Sequence, residues 1–527
     1  MVPLILHGSR GEGRTGDALV QFYDGNPWTQ PGKHFKVGTP RRHGNPGDGK
    51  EYDIRKEPNL CLFLPAKRGN EVDFRSANDI YEEFMEAVGF VGAAAFHASA
   101  GMEATDISVA DALREIIAHV CSSDADEGRR LIFELGLEEQ ETGKRHGKLL
   151  RSLVRMAASS FAEGLAKSVR EVLCEGLADV GQEGKVSASS SVLLLLKFNL
   201  LLMEAWHGGS VKSLQLVEFA AESTFKKEVH VHDTEKMEEE PYPDGEEGDF
   251  LGPHCMVAEG MQSLLAPLLS SDLCQNIILK QEVTQVKYGT AKGNGEKGKV
   301  VVSCRSGITV HARFCVVTVP LGCLKAAVIA SQESAGECTE LDSEGIIFNP
   351  SLPPSKIEAI QKMGMGHYKK VLLEFSSIFW PVHAATLGLV RPRRPAPAAS
   401  LDLDLGDSLL VDNPWARDGI PLLEVTLAGT VASAAMGLPD VSIRDAILAF
   451  LEETLGSVAV ISSCVRCHVT RWEEDPFSRG AYSHLALGTL ERHMQEMGRS
   501  IVLGGEGEGE PTGALVFAGE HTSWQYQ

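Results

Sequence analysis

Residues 346–381 read IIFNPSLPPSKIEAIQKMGMGHYKKVLLEFSSIFWP. Three kinds of local structure follow one another here. Leu352–Lys362 has the spacing of a helix. Gly364 and Gly366 permit a tight backbone turn, because a residue without Cβ tolerates φ values that others do not. Tyr368–Phe375 then alternates in character and predicts a strand. Helix, glycine turn and strand thus follow in immediate succession.

The pattern extends in both directions. On the C-terminal side, VRPRRPAPAAS (390–400) predicts a Pro-rich linker or surface loop. Strands are predicted at Leu422–Leu427 and Cys464–Trp472, with a helix at Ser442–Leu455 between them. The last apolar run is Leu515–Phe517, followed by AGEHTSWQYQ. On the N-terminal side, IILKQEVTQVKYG, GKVVVSC and ITVHARFCVVTVP are β-branched runs separated by the turn AKGNGEKG. Pro320 cannot donate to a ladder, so the chain must leave the sheet after a strand ending at Val319. DTEKMEEEPYPDGEEGD (233–249) predicts a solvated acidic loop.

Between Ser76 and about Ala220 the periodicity is helical. Ile80, Phe84 and Val88 share one face, and Ser108 stands as N-cap before Val109, Leu113, Ile116 and Ile117. Val192–Met203 is apolar but interrupted by Lys197 and Asn199. It is too short to span a bilayer and predicts a buried helix. Residues 1–70 are rich in Gly, Pro and basic residues and predict mostly loop.

The chain has 527 residues, 43% hydrophobic and 23% charged, an ordinary soluble composition. Its net charge of −22 argues against nucleic-acid binding, which needs clustered Lys and Arg. An acidic surface would instead draw in cationic ligands. The eleven cysteines are scattered and odd in number, which predicts reduced residues rather than a disulfide framework. Cys464, Cys467 and His468 spell the c-type haem attachment pattern, but they lie in a β-rich stretch leading into TRW. No second cysteine pair stands at zinc-ligand spacing, so no metal site is expected.

Taken in order, the blocks HCMVAEGMQSLLAPLL, IILKQEVTQVKYG, FCVVTVPLGCLKA, the opening stretch, LAGTVASAAM, TRWEEDPFSRGAYS and VFAGEHTSWQY resemble the flavin-containing amine oxidase family, nearest in pattern to the polyamine oxidases. The resemblance is close over about residues 250–527 and weaker over 73–222. It implies an α/β fold made of a discontinuous FAD-binding Rossmann-like domain and a substrate domain with a mixed sheet and a helical lobe. The corresponding segments are 1–70 irregular, 71–225 helical lobe, 226–250 acidic loop, 251–325 FAD-binding, 326–460 mostly substrate domain, and 461–527 FAD-binding again.

The resemblance also implies roles. Lys370 matches the lysine that holds a water against flavin N5. Lys369 is adjacent, and neighbouring strand residues face opposite ways, so only one of the two can point inward. Tyr482 matches an aromatic wall of the substrate cage, suited to an amine, and Trp472 is expected near the flavin ring. Pro320 marks a crossing near the flavin, Gly519 and Glu520 lie against the ribityl and pyrophosphate, and the backbone of Val283 contacts the adenine. His7, in LHGSRG, is a candidate active-site histidine.

Gly11, Gly13 and Gly16 satisfy G-x-G-x-x-G, but no long helix and no later acid-ended strand follows, so they read as a Gly-rich loop. The chain is therefore expected to lack the family's N-terminal dinucleotide-binding motif and its C-terminal flavin-facing helix. The implied activity is FAD-dependent oxidation of an amine, with a polyamine and oxygen as reactants and hydrogen peroxide as product. Two other readings stay open: a histone-lysine demethylase-like oxidase, and a truncated, non-catalytic relative without FAD. An intracellular setting, cytoplasmic or peroxisomal, is expected.

Overall fold

The structure, a computed structural model, describes residues 106–122, 125–138, 141–157, 188–216, 277–289, 300–333, 345–382, 386–391, 402–415, 419–455, 463–503 and 513–522, with short pieces at 19–20, 60–63, 87–95 in part, and 255–256. His7, Gly11, Gly13, Gly16 and the acidic loop at 233–249 lie outside the described residues.

The decisive stretch folds into the predicted helix and strand, the helix starting two residues later than Leu352. Its helix runs Pro354–Lys362, with Pro at the first helical position, where the missing N–H costs nothing. Its strand runs Tyr368–Phe375 and alternates between half-buried and buried residues. This strand is interior to a six-stranded sheet. The order is 464–469, 368–375, 422–428, 408–412, 386–390 and 60–63. The first four junctions are antiparallel and the last is parallel, so the sheet is mixed. Leu60–Phe63, inside the segment expected to be irregular, supplies that parallel edge strand.

One face of the sheet carries Val371, Leu373, Phe375, Leu409, Val411, Leu423, Val425 and Leu427 into a core with the helix Asp440–Leu455. The ring pairs Phe375–Phe379, Phe375–Trp380 and Phe379–Trp380 close that core edge-on, with centroids 5.0, 5.3 and 4.9 Å apart. Such pairs contribute about 0.5–1.5 kcal/mol each beyond their burial. The long helix Ala188–His207 packs against three strands of the same sheet, 386–390, 408–412 and 422–428. The buried Lys197, which interrupts its apolar run, bonds Glu134 at 3.1 Å and Asp407 at 3.2 Å. A single cation thus pins the helical lobe to the sheet.

That lobe contains helices Val109–Val120, Ala125–Glu134 and Glu141–Ala157 around their own core. Ser108 caps the first of them reciprocally: its Oγ accepts from Asp111 N at 3.1 Å, and Asp111 Oδ2 accepts from Ser108 N at 3.4 Å. A third core gathers the α/β segments. There, strands 501–503, 513–517 and 314–317 form a three-stranded sheet whose 513–517 and 314–317 strands are parallel. A four-stranded sheet, 309–312, 300–304, 283–287 and 347–349, lies within the same part. The architecture is α/β with a mixed sheet and a helical lobe.

Two strands end earlier than expected. The strand before Pro320 ends at Val317, not Val319. Pro320 instead opens the helix Leu321–Glu333, its carbonyl accepting from Cys323 N at 2.9 Å and Leu324 N at 3.1 Å. The strand expected through Trp472 ends at Val469, and residues 471–480 fold into a turn. Both ends fall where polar or helix-initiating residues offer the backbone another bonding pattern.

Candidate flavin and amine site

The lysine doublet divides between the two faces of its strand. Lys369 points into the core and is completely buried, in an ion pair with the buried Glu473 and 3.8 Å from Glu474. Burial lowers its pKa to about 8. Lys370 points to the opposite, more open face, where its Nζ lies 2.5 Å from Glu424 Oε1. Its backbone is fixed by one residue: its N–H donates to Thr470 Oγ1 at 2.8 Å, and its carbonyl accepts from Thr470 N at 3.0 Å. Burial works against its charge, but Glu424 outweighs it, and the ammonium is held above the usual lysine range.

Tyr368 shares the face of Lys370, two residues earlier. Its ring lies 6.0 Å from that of Tyr482, tilted by 51°. Tyr482 hydroxyl donates to Ala205 O near the end of the long helix. The ring also rests on Gly208, where a Cβ would come within 2.7 Å of Cε2 and φ is +67°. A side chain there would displace the ring, so glycine is required by both contact and conformation. The backbone around Tyr482 is tied to the glycine turn: Gly366 N donates to Tyr482 O at 2.7 Å, and Ala481 N to Gly366 O at 2.9 Å. Burial raises both phenol pKa values, which keeps the two rings neutral.

Pro320, Gly519 and Glu520 meet at one place. The parallel strands 314–317 and 513–517 end side by side, and Ala518 N donates to Val317 O at 3.0 Å. Ligands of open α/β sheets bind in the crevice outside such carboxyl ends. Gly519, with φ +130°, leaves that edge free of a side chain. Glu520 Oε1 accepts from Ser483 N at 3.0 Å and Ser483 Oγ at 2.7 Å. Through Ser483 the strand-end crevice is joined directly to Tyr482. Trp472 sits in the 471–480 turn, with its carbonyl accepting from Gly480 N at 3.2 Å. Gly322, just after Pro320, presses on the same turn: a Cβ there would lie 2.3 Å from Arg479 O.

Val283 begins a strand in the four-stranded sheet. It pairs with Cys304 on one side, while the parallel pairing with 347–349 starts only at Gln285. Its other edge is outside that ladder, as a backbone contact to a ligand requires. The residues present fit a dinucleotide-type flavin: a strand-end crevice with a side-chain-free glycine, a free strand edge, an aromatic pair and a cation on one face. Cys464, Cys467 and His468 lie on an extended edge strand, and burial pushes the Cys467 thiol up to about 12. Among the described residues no group of three or more His, Cys, Asp or Glu is arranged to hold a metal. No helix among them is long and apolar enough to cross a membrane.

Three residues at the site are not among those singled out from the sequence. Tyr368 could have been found from its i, i+2 relation to Lys370. Glu424 comes from a neighbouring strand and could not. Glu204 is half-buried on the long helix, and its Oε1 accepts from Ser210 Oγ at 2.9 Å and Val211 N at 3.0 Å. It braces the loop that carries Gly208. A cavity of about 1090 Å³, lined by Glu204, Gly208, His367 and His484, adjoins this partition without including Lys370 or Tyr482.

The family profile described as flavin containing amine oxidoreductase matches residues 108–527. A possible lysine-specific histone demethylase 1 of Drosophila melanogaster is 30% identical over 53% of this chain and 29% of its own length. Polyamine oxidase 4 of Oryza sativa subsp. japonica is 28% identical over 44% of this chain and 39% of its own. The peroxisomal N(1)-acetyl-spermine/spermidine oxidase of Bos taurus is 26% identical over 53% of this chain and 52% of its own. The chain therefore spans about half or less of the length of these relatives. It belongs to the family of flavin-containing amine oxidoreductases, whose cofactor is FAD.

Proposed function

We propose that this protein oxidises amines with FAD, and that its substrates are polyamines. The observation that carries the reading is the junction of Glu520 with Ser483, which joins the strand-end crevice to the face bearing Tyr482, Tyr368 and Lys370. Bound FAD supplies a two-electron acceptor that takes hydride from the carbon next to nitrogen and passes the electrons to oxygen, giving hydrogen peroxide. In this reading Gly519, Glu520, Pro320 and the backbone of Val283 hold the cofactor, and Trp472 lies beside its ring. Tyr482 and Tyr368 form an apolar, electron-rich wall that orients the amine. Lys370 places a positive charge where negative charge develops on oxygen. His7 remains a candidate for contact with the amine.

Polyamines suit the net charge of −22, which favours encounter with cations. Two of the relatives carry polyamine or spermine in their names. The peroxisomal label on the bovine relative goes with an intracellular setting, cytoplasmic or peroxisomal. A second reading, demethylation of methylated lysine in a histone, draws on the 30% identity to the Drosophila protein. Peroxide release separates the two. The FAD-supplemented protein is given spermine, or a histone peptide with methylated lysine, under air. Peroxide with spermine alone supports the polyamine reading. Peroxide with the peptide alone replaces it by the second.

A further inference from the structure

The geometry points to Glu424 as a positioning residue that holds Lys370 protonated and aims its ammonium along the open face of the sheet. This rests on the amine-oxidase reading for its consequence but not for its test. Lys370 and Glu424 lie on adjacent antiparallel strands, with Lys370 opposite Thr426, so Glu424 is the diagonal neighbour on the same face. Their 2.5 Å contact is half-sheltered, with side chains 26% and 12% exposed. Such shelter weakens screening by water and salt.

The surroundings leave Glu424 in charge of this lysine. The titratable groups facing it are Tyr368 on its own strand, Glu424 on the next, and Asp412 one strand further on. Asp412 is directly opposite Glu424 in the sheet, and its Oδ1 accepts from Thr386 Oγ1 at 3.0 Å. Two carboxylates directly opposite would repel each other. Lys370, in contact with Glu424, offsets part of that repulsion, which makes the three charges interdependent. On the other side the strand 464–469 places His468 opposite Leu372, at the diagonal position on the same face, and its extension presents Thr470, which is uncharged and bonded to the Lys370 backbone. The short helix Gly429–Ala434, packed on the same strand, carries no charged residue.

A cation that assists charge development on oxygen must stay protonated across the working pH range and must not swing away. Burial works against the first requirement for Lys370, and four rotatable bonds work against the second. The carboxylate secures both, at the cost of cancelling part of the field of the ammonium.

The test is competitive labelling of lysines with acetic anhydride over a pH series, read by peptide mass spectrometry, on the protein with and without added FAD. In the wild type, Lys370 is expected to label at higher pH than exposed lysines. In Glu424→Gln its half-labelling pH should fall by about one unit or more, because the stabilising charge is gone. Glu424→Asp, with a shorter reach, should fall in between. An unchanged half-labelling pH in Glu424→Gln overturns the inference. With FAD and an amine, stopped-flow mixing with oxygen gives the second readout. The alkaline limb of flavin reoxidation should move down in Glu424→Gln while the amine half-reaction holds. A limb that stays put also overturns the inference. If no amine reduces the flavin, the amine-oxidase reading fails, and the labelling still decides the role of Glu424.

Discussion

Lys369 and Lys370 are chemically identical neighbours whose environments share almost nothing. Lys369 is sealed in the core against Glu473, and the second carboxylate oxygen of Glu473 is buried without a hydrogen-bond partner. Breaking such a pair strands a charge. Lys369→Met is expected to cost about 3–5 kcal/mol, read by urea denaturation. The double variant Lys369→Met with Glu473→Leu should recover most of that loss, since two apolar groups need no partner. If the single variant is neutral, the pair is not the clamp described here. Two histidines give a second prediction at this scale. Burial depresses the pKa of both His484 and His521 from 6.5 to about 4. The unfolded chain then takes up their protons first, so the stability they provide is present above pH 6.5 and lost as pH falls toward 4. The slope is about 1.4 kcal/mol per pH unit for each. Glu204 and Glu520, raised by burial, slope the other way. The test is therefore a comparison: thermal midpoints of His521→Asn should depend less on pH between 6.5 and 4.5 than those of the wild type.

Elements meet at this site through backbone as much as through side chains. The start of the helix Leu321–Glu333 presses on the turn that bears Trp472, and nothing larger than Gly322 fits, because the nearest atoms are the carbonyl oxygens of Arg479 and Ser478. Backbone cannot swing aside as a side chain can. Gly322→Ala is expected to lose about 1–3 kcal/mol, seen as a lower thermal midpoint, and to weaken FAD uptake measured by quenching of flavin fluorescence. Normal uptake with a normal midpoint would show that this contact does not shape the crevice. The elements themselves were legible where local chemistry sets them. The strand Tyr368–Phe375 follows from alternation, the cap at Ser108 from its side chain, and the helix Pro354–Lys362 from its periodicity and prolines. The strand end at Val317 lies two residues before the one that Pro320 alone predicts, because the Pro320 carbonyl also starts a helix. What could not be read were partners distant in sequence. Nothing near Lys369 points to Glu473, nor anything near Lys370 to Glu424, because sheet order decides both. Lys197 was seen as a break in an apolar helix, and its service to Glu134 and Asp407 appears only once the lobe is docked.

At the scale of the whole molecule, three cores surround the site rather than contain it. The helical lobe supplies Ala205 and Gly208, the six-stranded sheet supplies Tyr368 and Lys370, and the α/β segments supply Pro320, Gly519 and Glu520. Tyr482 stands where all three come together, hydrogen-bonded to the first, with its ring tilted against Tyr368 of the second and joined through Ser483 to the third. The claim that follows is that this chain takes up FAD and that an amine reduces it. The direct measurement is the visible spectrum of the FAD-reconstituted protein, freed of unbound flavin, before and after spermine is added without oxygen. The account predicts bound-flavin bands that bleach on addition of spermine and return when air is admitted. Bound flavin that no amine bleaches would contradict the proposed activity, and no bound flavin at all would contradict the site itself.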